Sequence, residues 1–359
     1  MNSKKVIYIN APNIRHGGGL ILLGMILNAA HSLEYSLKGN LNDSLKFHQN
    51  ISEDILLGFE FSKSGILNYL FPYKKNKELI NNIKQITLFF GNLPPVRKLK
   101  GTSLLYIHNK LLLEPAFKYN LTTKTRIRLI FEKLFILLFY KNVDAIIVQT
   151  PSMKDLSNKI FKKRETLVIP FFDLDASSKS HDIKERYNFF YPSYGYTYKN
   201  HRNLISAFNI LAKKGIFPSI VMALDSKIDK ELIEFIRYQI QENGIKVKLV
   251  LDRRFEDMAQ YYYACSALVW PSLTDSFGMP LIEASGNEKD ILASDLEYIH
   301  DILEIGKENC FDPYDPTSIA ECLDNYLSKD SQEGKNHKIK IKIFTSKEFI
   351  NELSLLSLK

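Results

Sequence analysis

Several features that would define a class of protein are scarce in this 359-residue sequence. Its three cysteines, Cys265, Cys310 and Cys322, are odd in number and lack metal-ligand spacing, so we expect free thiols in a reducing, cytoplasmic compartment. No apolar run approaches the ~20 residues of a membrane-spanning helix. The first residues, Met1–Val6, contain no apolar core of a signal peptide. A disulfide-stapled, secreted or membrane-spanning protein is therefore not expected.

The nucleotide-binding motifs that depend on strict glycine spacing are also missing. Gly17, Gly18 and Gly19 follow a strand-like run and precede a helical pattern, but Leu22 stands where the dinucleotide-binding motif G-x-G-x-x-G needs its last glycine. No Lys-Ser or Lys-Thr pair of a P-loop follows either. A dinucleotide or ATP site is not expected here, and a tight turn after the first strand explains the glycines equally well.

One strand–loop–helix pattern carries most of the chemistry that the sequence does contain. The apolar run Ala267–Trp270 predicts a buried strand, and Gly278 and Pro280 predict a tight backbone followed by the first turn of a helix. The free N–H groups of such a helix start favour phosphate. Two carboxylates, Asp275 in the loop and Glu283 in the expected first helical turn, suit hydroxyl groups. Phosphate and hydroxyls together indicate a sugar nucleotide, although acidic first turns also occur in helices that bind nothing.

The segment PSLTDSFGMPLIEASG resembles the signature loop of family 4 (group 1) retaining glycosyltransferases, which have the GT-B fold and include many bacterial polysaccharide enzymes. Members usually have two glutamates separated by seven residues around a Gly-Phe-Gly-hydrophobic-Pro core. Here Phe277–Pro280 matches the core and Glu283 the second glutamate, whereas Asp275, one methylene shorter, replaces the first. The resemblance implies that Glu283 holds the ribose, that Asp275 contacts the donor sugar, and that the loop residues Ser276, Phe277, Gly278 and Met279 bind the donor.

The same resemblance implies roles for residues elsewhere in the chain. Lys199, within Lys199-Asn200-His201, corresponds to a lysine that contacts the donor diphosphate, and Arg202 is a second cation beside it. His108 ends an apolar run and resembles a histidine near the donor sugar and the acceptor, although a lone histidine after a strand is more often structural. The loop Gly17, Gly18 and Gly19 would let the acceptor or the diphosphate approach the backbone.

Alternating strands and helices in both halves predict an α/β protein with two Rossmann-like, doubly wound domains, and the GT-B resemblance implies a central cleft. We expect an N-terminal domain over residues 1–172 for the acceptor. A C-terminal domain over 185–340 would bind the donor, and a helix over 341–359 would cross back to the N-terminal domain. Val143–Gln149 is expected to be the last strand of the first half, and 171–184 the linker.

The region between Asn40 and Leu99 is harder to interpret from its sequence. Ile55–Leu57 and Ile86–Phe90 are compatible with strands, and Lys77–Lys84 with a helix. The resemblance is weak there, as expected where acceptors differ.

Charge is distributed unevenly along a chain whose formal net charge is +8. Residues 91–164 contain fifteen lysines and arginines but only four carboxylates. Such an excess suits an anionic partner, and peripheral contact with an anionic membrane at the inner face of the plasma membrane is a better candidate than nucleic acid, for which no motif is present. A lysine-rich background composition is the alternative. Within this region Thr122–Asn142 predicts a core helix with a basic flank that could face lipid.

The predicted function is transfer of a hexose from a nucleotide-sugar donor to a growing surface glycan such as O-antigen or capsule, carried on a polyprenyl diphosphate. The resemblance implies retention of configuration and no metal cofactor. Asp173-Leu174-Asp175 has the spacing of an Asp-x-Asp metal site but lies in the expected linker. A non-catalytic GT-B subunit that binds glycan or lipid beside a partner enzyme remains the alternative, and a sugar-nucleotide epimerase fits the loop less well.

Overall fold

The computed structural model describes residues 6–47, 51–63, 85–115, 117–174, 185–252, 258–329 and 336–356. The chain divides into two compact units. Unit 1 contains Met1–Lys118, Thr122–Asp173 and Lys342–Lys359, and unit 2 contains Tyr119–Leu121 and Leu174–Ile341.

Unit 1 is built on a parallel sheet of seven strands. They are β1 Val6–Ala11, β2 Ser36–Asn42, β3 Phe59–Ser62, β4 Ile86–Phe89, β5 Thr102–Tyr106, β6 Ala145–Val148 and β7 Glu165–Val168. Their order across the sheet is β3-β2-β1-β4-β5-β6-β7. The central strands are almost wholly apolar and buried, as expected when helices cover both faces. The helices are α1 Gly18–Ser32, α2 Glu53–Leu56, α3 Thr123–Phe139 and α4 Pro151–Ile160.

Unit 2 contains a second parallel sheet, of six strands. They are β8 Tyr187–Pro192, β9 Ser219–Leu224, β10 Lys246–Leu251, β11 Cys265–Trp270, β12 Asp290–Ser294 and β14 Cys310–Phe311. Their order is β10-β9-β8-β11-β12-β14, and β13 Leu303–Ile305 pairs separately and antiparallel with β15 His337–Ile339. The helices are α5 His201–Lys213, α6 Lys230–Asn243, α7 Ala259–Ala264, α8 Met279–Gly286, α9 Glu297–Ile302 and α10 Pro316–Ser328.

The last described helix, α11 Ser346–Leu356, belongs to unit 1. Its Phe349 ring stacks on Phe171 with 4.3 Å between ring centroids. Its Ser354 hydroxyl lies 2.5 Å from the hydroxyl of Tyr35, which follows α1. Asp173 accepts a hydrogen bond from the Ser346 backbone N–H at 2.8 Å, so this carboxylate holds the start of α11.

Both sheets reverse their strand order at one point. In unit 1 the chain winds outward from β1 to β3 and then returns to β4, which pairs with β1. In unit 2 it winds from β8 to β10 and returns to β11, which pairs with β8. Ligands of open α/β sheets bind beyond the carboxyl ends of the two strands at such a point. Each unit therefore has one favoured edge position for a site.

The predicted fold class of two Rossmann-like, doubly wound sheets is confirmed, with local corrections. Val143–Gln149 contains β6 but is not the last strand of the first half, because β7 pairs with it further along. Ile55–Leu57 lies at the end of α2 rather than in a strand. The helix expected over Lys77–Lys84 lies outside the described residues. No helix in the described part of the chain is long and apolar enough to cross a bilayer.

Asn200 ties the start of α5 to two loops of unit 2. It is the residue before α5 and has a left-handed backbone with φ of 63°. Its side-chain amide is buried and donates to the carbonyl of Pro271 at 3.1 Å and to that of Pro313 at 2.6 Å. Asparagine adopts this backbone conformation more readily than most residues, so it serves both purposes.

We expect Asn200→Ala to lower the free energy of unfolding by about 2–3 kcal/mol, since it loses two buried hydrogen bonds and strains a left-handed position. Asn200→Gly keeps the backbone freedom and should cost about 1 kcal/mol less. Urea unfolding measures both changes. Asn203→Ala is the control, because Asn203 makes a single bond to the same Pro313 carbonyl. Equal losses in Asn200→Ala and Asn203→Ala would contradict the assignment.

Candidate functional site

An ion pair stands where the strand order of unit 2 reverses. Lys199 ends a short 3-10 helix, Thr197–Lys199, which follows β8, and Asp275 lies in the loop that follows β11. Because β8 and β11 are parallel neighbours, both segments leave the same edge of the sheet. Lys199 Nζ donates to Asp275 Oδ2 at 2.6 Å, and the two side chains are 13% and 21% exposed. The pair is mostly buried, and both side chains keep a small exposed area that a ligand can reach.

The lysine ammonium also lies against an aromatic face. Lys199 Nζ is 4.8 Å from the ring centroid of Trp270, the last residue of β11. Trp270 is the only tryptophan of the chain and is 1% exposed. A cation over an indole face is attracted by the electrons of the ring. The Trp270 ring and the Asp275 carboxylate thus contact the ammonium together and restrict its position.

The consecutive residues Lys199, Asn200 and His201 make three different sets of contacts. Lys199 contacts Asp275, whereas Asn200 holds the loops that contain Pro271 and Pro313. His201 is buried, its Nε2 donates to the Ser193 carbonyl at 3.2 Å, and burial lowers its pKa to about 3. The histidine is therefore neutral at neutral pH and positions the segment after β8.

The loop after β11 is held by backbone acceptors. Ser272 receives hydrogen bonds on its carbonyl from Tyr298 Oη at 2.8 Å and from Ser294 Oγ at 3.1 Å. Its own hydroxyl donates to the Thr274 carbonyl at 2.8 Å. The Leu273 N–H donates to the Tyr198 carbonyl at 2.8 Å, which links the loop to the segment of Lys199. These contacts pre-set the loop that presents Asp275.

Gly278 and Pro280 start α8 as predicted. Gly278 precedes the helix with φ of 61°, a left-handed backbone conformation that favours glycine, and a Cβ there would also lie 2.7 Å from Leu281 Cδ1. Pro280 lies in the first turn, and no side chain caps the helix. One expectation is wrong: the first turn of α8 has no acidic residue, because Glu283 lies in the second turn.

Glu283 is a buried carboxylate with one oxygen already used. Its Oε2 accepts a hydrogen bond from Tyr262 Oη at 2.7 Å, and no partner is found for Oε1 among the described residues. Burial raises the pKa of Glu283 to about 7, against a smaller lowering by the Tyr262 hydroxyl. Burial also raises the pKa of Tyr262, so its hydroxyl stays protonated and donates. A buried acceptor without a partner is costly and suits a hydroxyl donor of a ligand.

The other residues predicted around the loop are placed less uniformly. The Ser276 backbone N–H donates to Asp275 Oδ1 at 2.8 Å. The side chain of Phe277 is 2% exposed and belongs to the core, and Met279 is half-buried. Arg202 is exposed and its guanidinium carbon lies 4.4 Å from the centroid of Phe235 on α6. Lys199 and Asp275 are thus joined directly, while Arg202 rests on a neighbouring helix.

In unit 1 the structure brings the glycine loop and His108 together. His108 comes two residues after β5, and a Cβ on Gly19, in the first turn of α1, would lie 2.7 Å from His108 Cε1. The imidazole stacks on Phe90 with 5.2 Å between centroids. Burial lowers the pKa of His108 to about 4, although backbone carbonyls of Phe90 and His108 itself oppose this shift. His108 is therefore a neutral hydrogen-bonding group at neutral pH.

Asn92 is a site residue that the sequence did not reveal. Its Oδ1 accepts from the His108 backbone N–H at 2.8 Å, so its Nδ2 faces His108 Nε2 at 3.0 Å and donates to it. The proton of the neutral imidazole then lies on Nδ1. Asn92 has φ of 65° and follows β4 at the point of strand reversal. The break Asn92-Leu93-Pro94-Pro95 predicted a turn, but not its contact with His108.

The described residues include one cluster of side chains of the kinds that ligate metals. Within the described ranges, one group of three such side chains lies close enough to share an ion: Asp295, His300 and Cys310. His300 Nε2 and Asp295 Oδ1 are 2.6 Å apart and pair with each other at the surface. Of the Asp-x-Asp triplet, Asp173 binds Ser346 and Asp175 lies outside the described residues.

Part of the chain is similar to a known protein family. Residues 173–342 match the family model described as Glycosyl transferases group 1. That segment is 170 of the 359 residues and contains Lys199, Asp275 and Glu283. No curated protein sequence matches the chain.

Solved structures of GT-B glycosyltransferases share the fold of the whole chain. Sucrose-phosphate synthase from Thermosynechococcus elongatus has a TM-score of 0.66 at 15% identity, with 91% of this chain and 90% of that one covered. HepE from Anabaena, in complex with UDP and glucose, has a TM-score of 0.65 at 15% identity, with 99% of this chain and 98% of HepE covered. The pneumococcal O-GlcNAc transferase GtfA, in complex with UDP and GlcNAc, has a TM-score of 0.64 at 11% identity, with 99% of this chain and 96% of GtfA covered. The chain therefore has the GT-B fold.

The raised pKa of Glu283 predicts a pH-dependent effect of Glu283→Gln. In the unfolded chain the carboxyl ionises near its ordinary 4.5, while in the fold it holds its proton up to about 7. Ionisation is therefore disfavoured in the fold, and wild-type stability is lost as pH rises from about 4.5 to about 7. Relative to wild type, the variant should gain up to about 3 kcal/mol between pH 4.5 and pH 8. Urea unfolding at several pH values measures this.

Glu321→Gln, an exposed substitution on α10, is the control for removal of a charge from unit 2. A stability difference between Glu283→Gln and wild type that does not change with pH would contradict a buried, protonated Glu283.

The contact between Gly19 and His108 predicts opposite effects of two alanine substitutions in α1. Gly19→Ala should lower the free energy of unfolding by about 1–3 kcal/mol, because its Cβ would overlap His108. Gly24→Ala meets no atom within 4 Å and should raise stability by up to about 1 kcal/mol through helix propensity. Chemical unfolding of the two purified variants measures both. If Gly19→Ala were as stable as Gly24→Ala, His108 would not be held against α1.

Proposed function

We propose that this chain transfers a hexose, with retention of configuration, from a nucleotide-sugar donor to a growing surface glycan. The observation that carries the proposal is the Lys199–Asp275 pair on Trp270, at the strand reversal of unit 2 and within the residues that match the group 1 glycosyltransferase model. A fixed cation at that edge suits the diphosphate that departs when the glycosidic bond is made.

Lys199 is proposed to stabilise the departing diphosphate. Its ammonium has three N–H donors, of which Asp275 uses one. The other two N–H groups would donate to oxygens of the diphosphate. The uncapped N-terminus of α8 adds a partial positive charge at the end of the same loop. A lysine and a helix terminus together would supply the charge that a divalent ion supplies elsewhere, and we therefore propose a metal-independent reaction.

Asp275 is proposed to combine two functions. It orients Lys199 through Oδ2 and accepts the Ser276 N–H on Oδ1. A carboxylate has about four acceptor positions, so about two remain for hydroxyls of the donor sugar. Family 4 enzymes usually have the longer glutamate here, and the shorter side chain shifts its oxygens by about 1 Å, a distance that matters in catalysis. We propose that this shift alters the preferred donor sugar.

Glu283 is proposed to bind the ribose of the donor. Tyr262 satisfies Oε2, and Oε1 is the acceptor that a ribose hydroxyl would meet. Such a hydroxyl donates best to an ionised carboxylate, so donor binding should favour the deprotonated form. The donor that we propose to test first is a uridine diphosphate sugar, because HepE was solved with UDP-glucose and GtfA with UDP and GlcNAc.

His108 and the loop Gly17, Gly18 and Gly19 are proposed to bind the acceptor or donor from unit 1. With a pKa near 4 the imidazole carries no charge at neutral pH. We therefore propose that His108 acts as a hydrogen-bonding group near the sugar, and not as a general acid. The acceptor is proposed to be a glycan on a polyprenyl diphosphate, which the basic excess of residues 91–164 would suit.

A non-catalytic GT-B subunit remains the second candidate, and one observation favours it. Lys199 and Asp275 already form an ion pair with each other, and an ion pair of this kind also occurs as a purely structural contact. Calorimetric titration with uridine and guanosine diphosphate sugars separates the two. Saturable binding of one of them supports the transferase, and no binding of any supports the subunit.

The proposed role of Lys199 predicts a large kinetic effect of its removal. Lys199→Met should lower turnover by ~100-fold or more, the scale of losing a charge partner of the transition state. Sugar transfer or donor hydrolysis by the purified variant measures it. Lys248→Met is the matched control, because Lys248 makes an equally short pair with Glu185, also 2.6 Å, in the same unit. A folded Lys199→Met variant with near-normal turnover would refute the assignment.

A further inference from the structure

The outer face of α3 carries apolar side chains that the chain leaves in solvent. The sequence favoured a core helix, but only Leu129 and Ile136 of α3 are buried. Six large apolar residues of the helix are between 41% and 72% exposed: Ile127, Ile130, Phe131, Leu134, Leu137 and Leu138. Exposed apolar residues in such a continuous group mark a surface with a partner.

These six residues form one stripe. An α-helix turns about 100° per residue, so their spacing confines them to an arc of about 120°. Leu129 and Ile136 lie on the opposite side of the helix, where α3 packs on unit 1. The helix is therefore apolar on two opposed faces. We call the exposed stripe the outer face of α3.

Basic side chains flank the outer face on both sides. Lys124 and Arg128 border one edge of the stripe and Arg126 the other, and all three are exposed. Lys133 donates to the Glu114 carbonyl at 3.1 Å and anchors the helix. The one acid of α3, Glu132, lies 4.0 Å from Arg128 and has a pKa raised by burial. The rim of the outer face is thus positive.

We propose that the outer face of α3 docks on an anionic lipid bilayer, with the helix lying flat at the headgroup level. Apolar side chains would enter the acyl boundary while the flanking lysine and arginines extend to lipid phosphates, as in interfacial helices. The helix is about 25 Å long, enough for a stable contact in the plane of the membrane.

A second copy of the chain suits this face less well. Two copies joined through the stripe would bring their basic rims together, and like charges at a shared interface oppose association. An anionic membrane satisfies the apolar stripe and the positive rim at once. This proposal does not depend on the sugar donor, so it can fail while the proposed function holds.

Vesicle flotation of the full chain tests the proposal. We expect binding to equimolar phosphatidylcholine and phosphatidylglycerol vesicles, weakened by salt, and little binding to phosphatidylcholine alone. Combining Ile130→Asn, Leu134→Asn and Leu138→Asn should reduce partitioning by more than about tenfold, given the apolar area removed. The control combines Leu57→Asn, Ile228→Asn and Leu355→Asn, which are exposed apolar residues on other elements, and it should bind like wild type.

A fluorescence probe locates the contact. Phe131→Trp should be quenched by brominated phosphatidylcholine in anionic vesicles, whereas Tyr238→Trp, on α6 and 57% exposed, should not. The proposal is overturned if wild type does not float with anionic vesicles, or if the triple α3 variant floats like wild type. It is also overturned if that variant changes the oligomeric state in size-exclusion chromatography while vesicle binding persists, since the partner would then be a second copy.

Discussion

The contact between the Lys199 ammonium, the Asp275 carboxylate and the Trp270 ring is the interaction on which this account depends. It joins the segment after β8 to the loop after β11, and these two strands are neighbours only because the chain reverses its winding between them. A lysine side chain is flexible, so its ammonium can occupy many positions unless other groups hold it. Here a carboxylate and an indole face hold it in one place before any ligand arrives, which is what electrostatic stabilisation of a leaving group requires.

The same loop leads into the helix that carries a second group of unit 2, the carboxylate of Glu283. The left-handed Gly278 turns the chain into α8 without a capping side chain, and the second turn of that helix presents Glu283 to Tyr262. In unit 1, at the corresponding strand reversal, His108 packs against Gly19 and is hydrogen-bonded to Asn92. In both units short polar contacts at a sheet edge fix a group whose protonation is set by burial.

The sequence predicted most of the fold but few of the contacts. Apolar runs, Gly278 and Pro280 were enough to predict β11, its loop and α8, because these signals are local. The Lys199–Asp275 pair joins residues 76 positions apart, and its geometry follows from strand order, which no local pattern encodes. Asn92 was missed for the same reason. For α3 the sequence predicted a core helix with a basic flank that could face lipid, but it did not show which apolar residues are exposed, because helical periodicity is identical whether an apolar stripe faces inward or outward. Roles for Arg202 and Met279 stay predictions.

The most direct test uses the single tryptophan, since Trp270 reports on the ammonium above it. Emission of Trp270 is followed during titration with uridine diphosphate and, in parallel, with uridine. If Lys199 turns toward a diphosphate, uridine diphosphate should produce a saturable change that uridine does not, and Lys199→Met should abolish it. Saturable binding of uridine diphosphate with an identical emission change in Lys199→Met would contradict the account.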